Sequence, residues 1–396
     1  MEIPSGRPNE ANLRPPSVDK FGFYTMVARR GMDLSVDSLG GAGSGEESKR
    51  EGDGPLKRRT LVRKENSRTL KWLDMMRATQ QAGQSVTAHP KFVSRLEKGV
   101  PSAVRAAVWK EMALQVEERS ALMATPSSPP SEETMRAISL DLARTFPTHA
   151  HFSKPAGHAL LEQVLVKAAE EDSEVGFCQG MSFVAGVLLV VMPSADAQLV
   201  FRVLLRSPQF AMRDLYRASM PGVWLRLYQF EQVLEQERPR LYEHFTDLNF
   251  VPGMYASQWV LTLFAYSFPF DVVVRTWDLM LLRGWSIFFG VAVAVLQEVE
   301  TKLLFADLDG VARRLRSLSG PGEGRLNTDR VMKRAIGIAS GSASPQRLAA
   351  MEQAWCNTPQ GASLGTNKGT SRPETASTSA ATVSAPIAPQ PTLDRA

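Results

Sequence analysis

An all-α domain is the fold that this 396-residue sequence predicts. Three observations carry that expectation. Apolar residues recur at helical spacing over most of the stretch from Thr69 to Trp355. No run alternates apolar and polar residues between hairpin turns, as a half-buried strand would. The two longest uncharged apolar runs, 181–193 and 285–296, are too short to cross a bilayer and read as helices buried on all sides.

Taken in order, residues 1–55 are rich in Gly, Ser, Pro and charge and predict a disordered segment, because too little apolar surface is present to offset the entropy of ordering. Between Lys57 and Arg77 stand eight Lys and Arg residues against Glu65 and Asp74, so the chain's formal +5 is local to this stretch. That distribution excludes a nucleic-acid-binding face spread over the domain. It leaves two readings for 57–77: contact with an acidic membrane surface or partner, or a solvated lead-in to the first helix. Residues 1–68 are therefore assigned to a disordered, basic N-terminal region.

The helical pattern opens with Leu70, Trp72, Leu73 and Met76 and continues through Phe92 and Leu96. Gly99-Val100-Pro101 breaks it, and Ser102 can cap a helix carrying Val104, Val108 and Trp109. The proline-rich 124–130 reads as a loop. Ser131 can cap the next helix, with Glu132 and Glu133 in its first turn. Met135, Ile138 and Leu142 form that helix's apolar face, and Pro147 disfavours helix at Phe146, so the helix stops close to Arg144. Leu160, Leu161, Val164, Leu165 and Ala168 make another amphipathic helix that ends at Glu170-Glu171-Asp172. Helices follow at 199–205, 223–234 and around 241–245. Apolar 255–268 comes next, then a restart at Pro269 and Asp271, and then 285–303. The pattern weakens after Arg316 and recovers at 331–338 and 348–355. Residues 357–396 are Ser, Thr, Ala and Pro and predict a disordered tail.

Standard catalytic loops are missing. There is no Gly-x-x-x-x-Gly-Lys-Ser/Thr, no Gly-x-Gly-x-x-Gly and no Gly-x-Ser-x-Gly. His149 and His151 lie in a post-proline loop without a Cys or acid cluster, so no metal is expected. Cys178 and Cys356 form no framework and point to a reducing compartment. The first ten residues lack the apolar core of a signal peptide. Trp109, Trp259 and Trp277 sit on apolar faces and read as core.

Two polar side chains stand out. Arg144, near a helix end, carries a planar fork that matches phosphate oxygens; it can equally form an ion pair with Asp141 one turn back. Gln179, just before Gly180 and an apolar run, has an amide that can both donate to and accept from a water; it can equally cap a helix or lie buried and hydrogen-bonded.

Ile138, Asp141 and Arg144 in Ile-x-x-Asp-x-x-Arg, then Thr-Phe-Pro, then Val-Gly-Phe-Cys-Gln-Gly-Met-Ser-Phe (175–183) resemble the two signature motifs of TBC-domain Rab GTPase-activating proteins. Residues 99–109, 255–269 and Arg-Thr-Trp-Asp (275–278) resemble further motifs of that family. The resemblance covers 91–355. It implies a two-lobed, multi-helix TBC domain over 69–356, with its motif core at about 91–300 and a disordered tail at 357–396. It also implies a GTPase activator that supplies catalytic residues in trans rather than a stand-alone enzyme. Arg144 would be the arginine finger and Gln179 the glutamine finger, with Ile138, Asp141, Phe177 and Gly180 supporting them. The chain would need no cofactor of its own, since GTP and Mg²⁺ are carried by the Rab. The GTP-bound Rab would be the partner, and the setting cytoplasmic vesicle trafficking with peripheral recruitment to endomembranes. Phe177 departs from the family's usual Tyr and loses a hydroxyl. A catalytically silent TBC domain that serves as a Rab-binding scaffold is the alternative, and a helical interaction protein unrelated to GTPases is a more distant one.

Overall fold

The computed structural model describes residues 18–23, 55–120, 127–319 and 326–364, with side chains in 55–62 excepted. Among them there is no strand, only a single antiparallel bridge between Phe23 and His149. The helices are α1 (Pro55–Gln81), α2 (Phe92–Lys98), α3 (Ser102–Ser120), α4 (Glu132–Leu142), α5 (Pro155–Glu171), α6 (Met181–Val191), α7 (Ser194–Arg206) and α8 (Arg213–Tyr216). They continue with α9 (Pro221–Glu237), α10 (Pro239–Asp247), α11 (Ser257–Thr262), α12 (Phe270–Arg283), α13 (Trp285–Leu304), α14 (Leu308–Arg316), α15 (Thr328–Ser340), α16 (Pro345–Cys356) and α17 (Pro359–Leu364).

Two helices organise the core. In α6 every residue from Met181 to Leu188 is buried, and in α13 every residue from Trp285 to Leu296. A helix that is apolar all round can only be stable when other helices surround it. Helices α3, α4, α5, α7 and α11 pack around α6, and α9, α10, α12, α14, α15 and α16 around α13. Trp109, Trp259 and Trp277 are buried, and the Trp109 and Trp277 rings stack at 5.7 Å. No helix among the described residues is long and apolar enough to cross a membrane.

The halves are joined by a buried polar cluster. Asp278 of α12 is fully buried. Its Oδ1 accepts from Arg105 Nε at 2.9 Å and Trp109 Nε1 at 2.9 Å, both on α3. Its Oδ2 accepts from the Val100 amide at 3.1 Å and from Arg275 at 3.3 Å. Arg275 in turn donates to the Glu97 carbonyl at 2.7 Å, beyond the end of which α2 gives way to Gly99. Thus the stretch 99–109 and the stretch 275–278 meet each other, and their polar residues are structural.

Several local expectations need correction. α1 starts at Pro55, not near Thr69: Pro is suited to the first helical turn, and the polar residues after it have helix-forming side chains but no periodicity to betray them. Ser102 is the first residue of α3 rather than its cap, and its hydroxyl accepts from Arg105 at 3.4 Å. The apolar stretch 255–268 is helical only at Ser257–Thr262, because Leu263 and Phe264 take left-handed φ of 46° and 70°. One more short helix, α17, extends past residue 357. Residues 1–17, 24–54 and 365–396, and 124–126 of the loop read at 124–130, lie outside the described residues.

The largest correction concerns 18–23, where no packed structure was expected. Asp19 closes a turn by accepting from the Phe21 and Phe23 amides at 2.8 and 3.0 Å. The turn presents Phe21 to Phe270 at 4.9 Å, and Phe23 to Phe146 at 5.5 Å and His149 at 4.8 Å. A composition averaged over 55 residues conceals two aromatic rings that together bury enough surface to dock six residues.

His149 fastens this segment. Its Nε2 lies 2.8 Å from the Phe21 carbonyl oxygen, and its Nδ1 lies 3.2 Å from the His151 amide nitrogen. Nδ1 therefore accepts and Nε2–H donates, so one neutral tautomer serves both bonds. Burial holds the His149 pKa below its usual 6.5; the Phe21 carbonyl opposes this, nearby His151 adds to it, and Asp19 opposes it. A depressed folded value means the stabilisation is present above the unfolded pKa and lost as pH falls through the folded one. The Ala150 amide donates to the Gly22 carbonyl at 2.8 Å and reports on the docking. Its hydrogen-exchange protection, corrected for intrinsic rate, should be full at about pH 7.5 and fall by about pH 5.5, and His149→Gln should flatten that dependence.

Candidate functional site

Ser131 begins α4 as expected: its hydroxyl accepts from the Thr134 amide at 3.1 Å, and Glu132 and Glu133 occupy the first turn, where the helix dipole favours acids. Ile138 and Leu142 are buried and Met135 half-buried. Asp141 follows Ile138 by three residues, so it falls on the same face and is itself only 1% exposed. Arg144 comes a turn later, past the last helical residue, with its side chain 52% exposed.

The end of α4 is held from both sides of Arg144. Behind it, Asp141 Oδ1 lies 2.7 Å from Arg144 Nη2. Among the described residues Oδ1 has no directed hydrogen bond, so this buried oxygen is met by the Arg144 charge. Thr145 Oγ1 donates back to the Asp141 carbonyl at 2.8 Å. Ahead of it, Pro147 disfavours a further helical residue at Phe146, which instead adopts a left-handed φ of 48° with its ring buried against Phe183 at 5.3 Å and Phe152 at 6.1 Å.

Gln179 stands on a stapled loop between α5 and α6. Asp172 receives Arg213 through Nε at 2.6 Å and Nη2 at 3.1 Å, and also receives the Val175 amide at 3.3 Å. Arg213 also pairs with Glu174. These carboxylates raise the guanidinium's pKa further, so it keeps its charge. Gly180 then turns the chain into α6 with φ of 108°, a conformation that strains any side-chain-bearing residue. No side chain caps α6. Gln179 is half-buried, and among the described residues its carboxamide makes no hydrogen bond. So Gln179 is neither a cap nor a buried, bonded glutamine; its amide is available. Phe177 is half-buried against the rim of the core. Burial pushes the Cys178 thiol up to about 11, with the Asp141 charge adding to it, which leaves little thiolate for nucleophilic chemistry.

One hydrogen bond joins the two motifs. Ser182 Oγ, buried on α6, donates to Asp141 Oδ2. Asp141 thus has one oxygen toward Arg144 and the other tied to a residue three positions beyond Gln179. The exposed guanidinium and the available amide are referenced to a single buried carboxylate. Ser182 lies within the 175–183 motif, and its lone hydroxyl inside an apolar helix is the sequence signal for this role. Arg213 carried no comparable signal. No group of His, Cys, Asp and Glu among the described residues is arranged to hold a metal ion.

A family model described as Rab-GTPase-TBC domain matches residues 102–304, just over half of the chain. The chain is 32% identical over 229 residues to the Ecotropic viral integration site 5 protein homolog of Homo sapiens, an alignment covering 56% of this chain and 28% of that protein. It is 31% identical over 230 residues to the Rab GTPase-activating protein eat-17 of Caenorhabditis elegans, covering 58% of this chain and 26% of that one. The match thus takes in about a quarter of the length of these relatives. Among solved structures, the crystal structure of the Chlamydomonas flagellar RabGAP TBC domain matches with a TM-score of 0.56 at 25% identity, over 71% of this chain and 96% of that one.

Proposed function

The chain belongs to the Rab-GTPase-TBC domain family, and we propose that it accelerates GTP hydrolysis on a Rab-type small GTPase by lending it Arg144 and Gln179. The observation that carries this reading is the shared anchor: a half-exposed Arg144 paired with buried Asp141, whose other oxygen accepts from Ser182, three residues past the unbonded Gln179 amide. The partner carries GTP and Mg²⁺. Phosphoryl transfer asks the protein for positioning and charge stabilisation rather than covalent chemistry. The Arg144 fork would lie against the transferring phosphoryl oxygens. The Gln179 amide would accept from the attacking water and donate to a phosphoryl oxygen, holding the water in line. Ile138 seats the helix, Gly180 makes the turn and Phe177 closes the rim. The lost hydroxyl at Phe177 removes any hydrogen bond it would make but neither of these two groups. Lys64 and Lys71 are exposed on α1, and this basic stretch would draw the protein to an acidic endomembrane surface, where a trafficking GTPase is anchored.

Phosphate release from a panel of purified, GTP-loaded Rabs tests the reading. Stimulation of one or more supports it; binding without stimulation identifies a scaffold instead. The Gln179 role has its own test. A Rab whose switch glutamine is changed to Leu should still be turned over, since Gln179 replaces that group. Gln179→Ala should slow wild-type Rab hydrolysis by about 10²-fold with docking retained, because the amide acts mainly in the transition state. The combination of both changes should be inactive. Full resistance of the Leu variant to the wild-type activator would return Gln179 to a structural role.

A further inference from the structure

We propose that residues 18–23 are a strap that positions Arg144, with Phe23 as its positioning residue. This rests on Arg144 being the arginine finger. The strap is self-closed: the Asp19 amide donates to the Phe23 carbonyl at 2.8 Å, and the Gly22 amide to the Asp19 carbonyl at 3.1 Å. It does not touch Arg144. It clamps the loop that leaves Arg144, at three points. The Phe23 ring packs edge-on against Phe146, two residues past Arg144. The Phe21 carbonyl accepts from His149, and the Gly22 carbonyl from the Ala150 amide.

Phe146 is where such a clamp has leverage. Its left-handed φ of 48° is rare for a bulky residue and persists only when the surroundings over-determine it. Phe152, Phe183 and Phe270 hold the ring from the domain side, and Phe23 holds it from the outside. With the outer ring gone, Phe146 can relax toward extended backbone. Arg144 is not inside a helix that would resist: its own amide bond to the Asp141 carbonyl is long, at 3.3 Å, and Asp141 Oδ1 holds the guanidinium by charge alone. A small shift of the loop therefore becomes a shift of the guanidinium.

Two substitutions in the full chain separate positioning from mere docking. Phe23→Ala removes the ring. Gly22→Val blocks the approach, since a Cβ at Gly22 would stand 2.7 Å from His149 Nε2, at a φ of 92°. With a Rab identified from the panel, both variants should lose about tenfold in kcat while KM for the GTP-loaded Rab stays within about twofold, as expected for a misplaced catalytic group. Exchange of the Arg144, Thr145 and Ala150 amides should accelerate in both. Wild-type kcat in both variants would overturn the proposal, as would a raised KM with unchanged kcat, which would make the strap a contact for the GTPase. If the wild-type chain stimulates no GTPase, the function proposed above fails, and the exchange arm still decides the strap. Faster exchange at Arg144 and Thr145 supports it, and unchanged exchange there overturns it.

Discussion

Arg144→Lys should abolish stimulated hydrolysis, lowering the rate by about 10³- to 10⁵-fold, or roughly 4–7 kcal/mol of transition-state stabilisation, while leaving the fold intact. The two outcomes part because Arg144 does two jobs. Toward the protein it supplies a positive charge 2.7 Å from buried Asp141 Oδ1, which an ammonium can also supply. Toward the phosphoryl group, as the proposed finger, it would supply a planar fork, which an ammonium cannot. Arg144→Ala should match the catalytic loss but also destabilise by about 1 kcal/mol, because a buried carboxylate oxygen loses its counter-charge while half of the Arg144 side chain was in water. Thermal unfolding beside single-turnover phosphate release reads both. A Lys variant that kept most of the activity would sink the finger assignment.

Asp278→Ala should destabilise the domain by about 3–5 kcal/mol, because it strands buried cations rather than exposing a surface pair. Arg105 and Arg275 have side chains only 7% and 12% exposed, and the Trp109 indole N–H and the Val100 amide lose their acceptor with them. Burial already lowers the Arg275 pKa, with Asp278 opposing that, so removing the carboxylate leaves a buried guanidinium without its counter-charge. In a domain of this size such a loss corresponds to a melting point lower by about 5–10 °C, read by differential scanning calorimetry. Asp278→Asn should fall between, since an amide can still accept but carries no charge. A loss below about 1 kcal/mol for the Ala variant would mean that water reaches the cluster.

What was legible in the sequence was local. Ser131 and Pro147 bracket α4 by their own backbone chemistry, and Asp141 and Arg144 face each other because three residues make nearly one turn. The apolar runs that became α6 and α13 announce burial by lacking charge. What was hidden depended on partners far along the chain. Nothing near Asp278 says that it accepts from residues on α3, and nothing near Asp172 says that Arg213 will clamp it. The segment 18–23 is masked by its neighbours' composition, and the start of α1 is hidden because its first turns are dominated by polar residues and lack a clear apolar stripe. In the apolar stretch 255–268, side-chain type could not show that Leu263 and Phe264 turn the backbone left-handed.

The Asp278 cluster also sets an order of events during synthesis. Its acceptor and its donors on and before α3 are separated by 169 to 178 residues. At about 5–20 residues per second, roughly 10–30 s pass between emergence of Arg105 from the ribosome and arrival of its counter-charge. Throughout that interval α3 cannot seat in its final place, because its guanidinium and indole would be buried without an acceptor. The nascent N-terminal half must therefore wait, exposed to chaperones, until α12 leaves the exit tunnel. Chains released before Asp278 should accumulate as protease-sensitive, chaperone-bound fragments rather than as a folded half-domain.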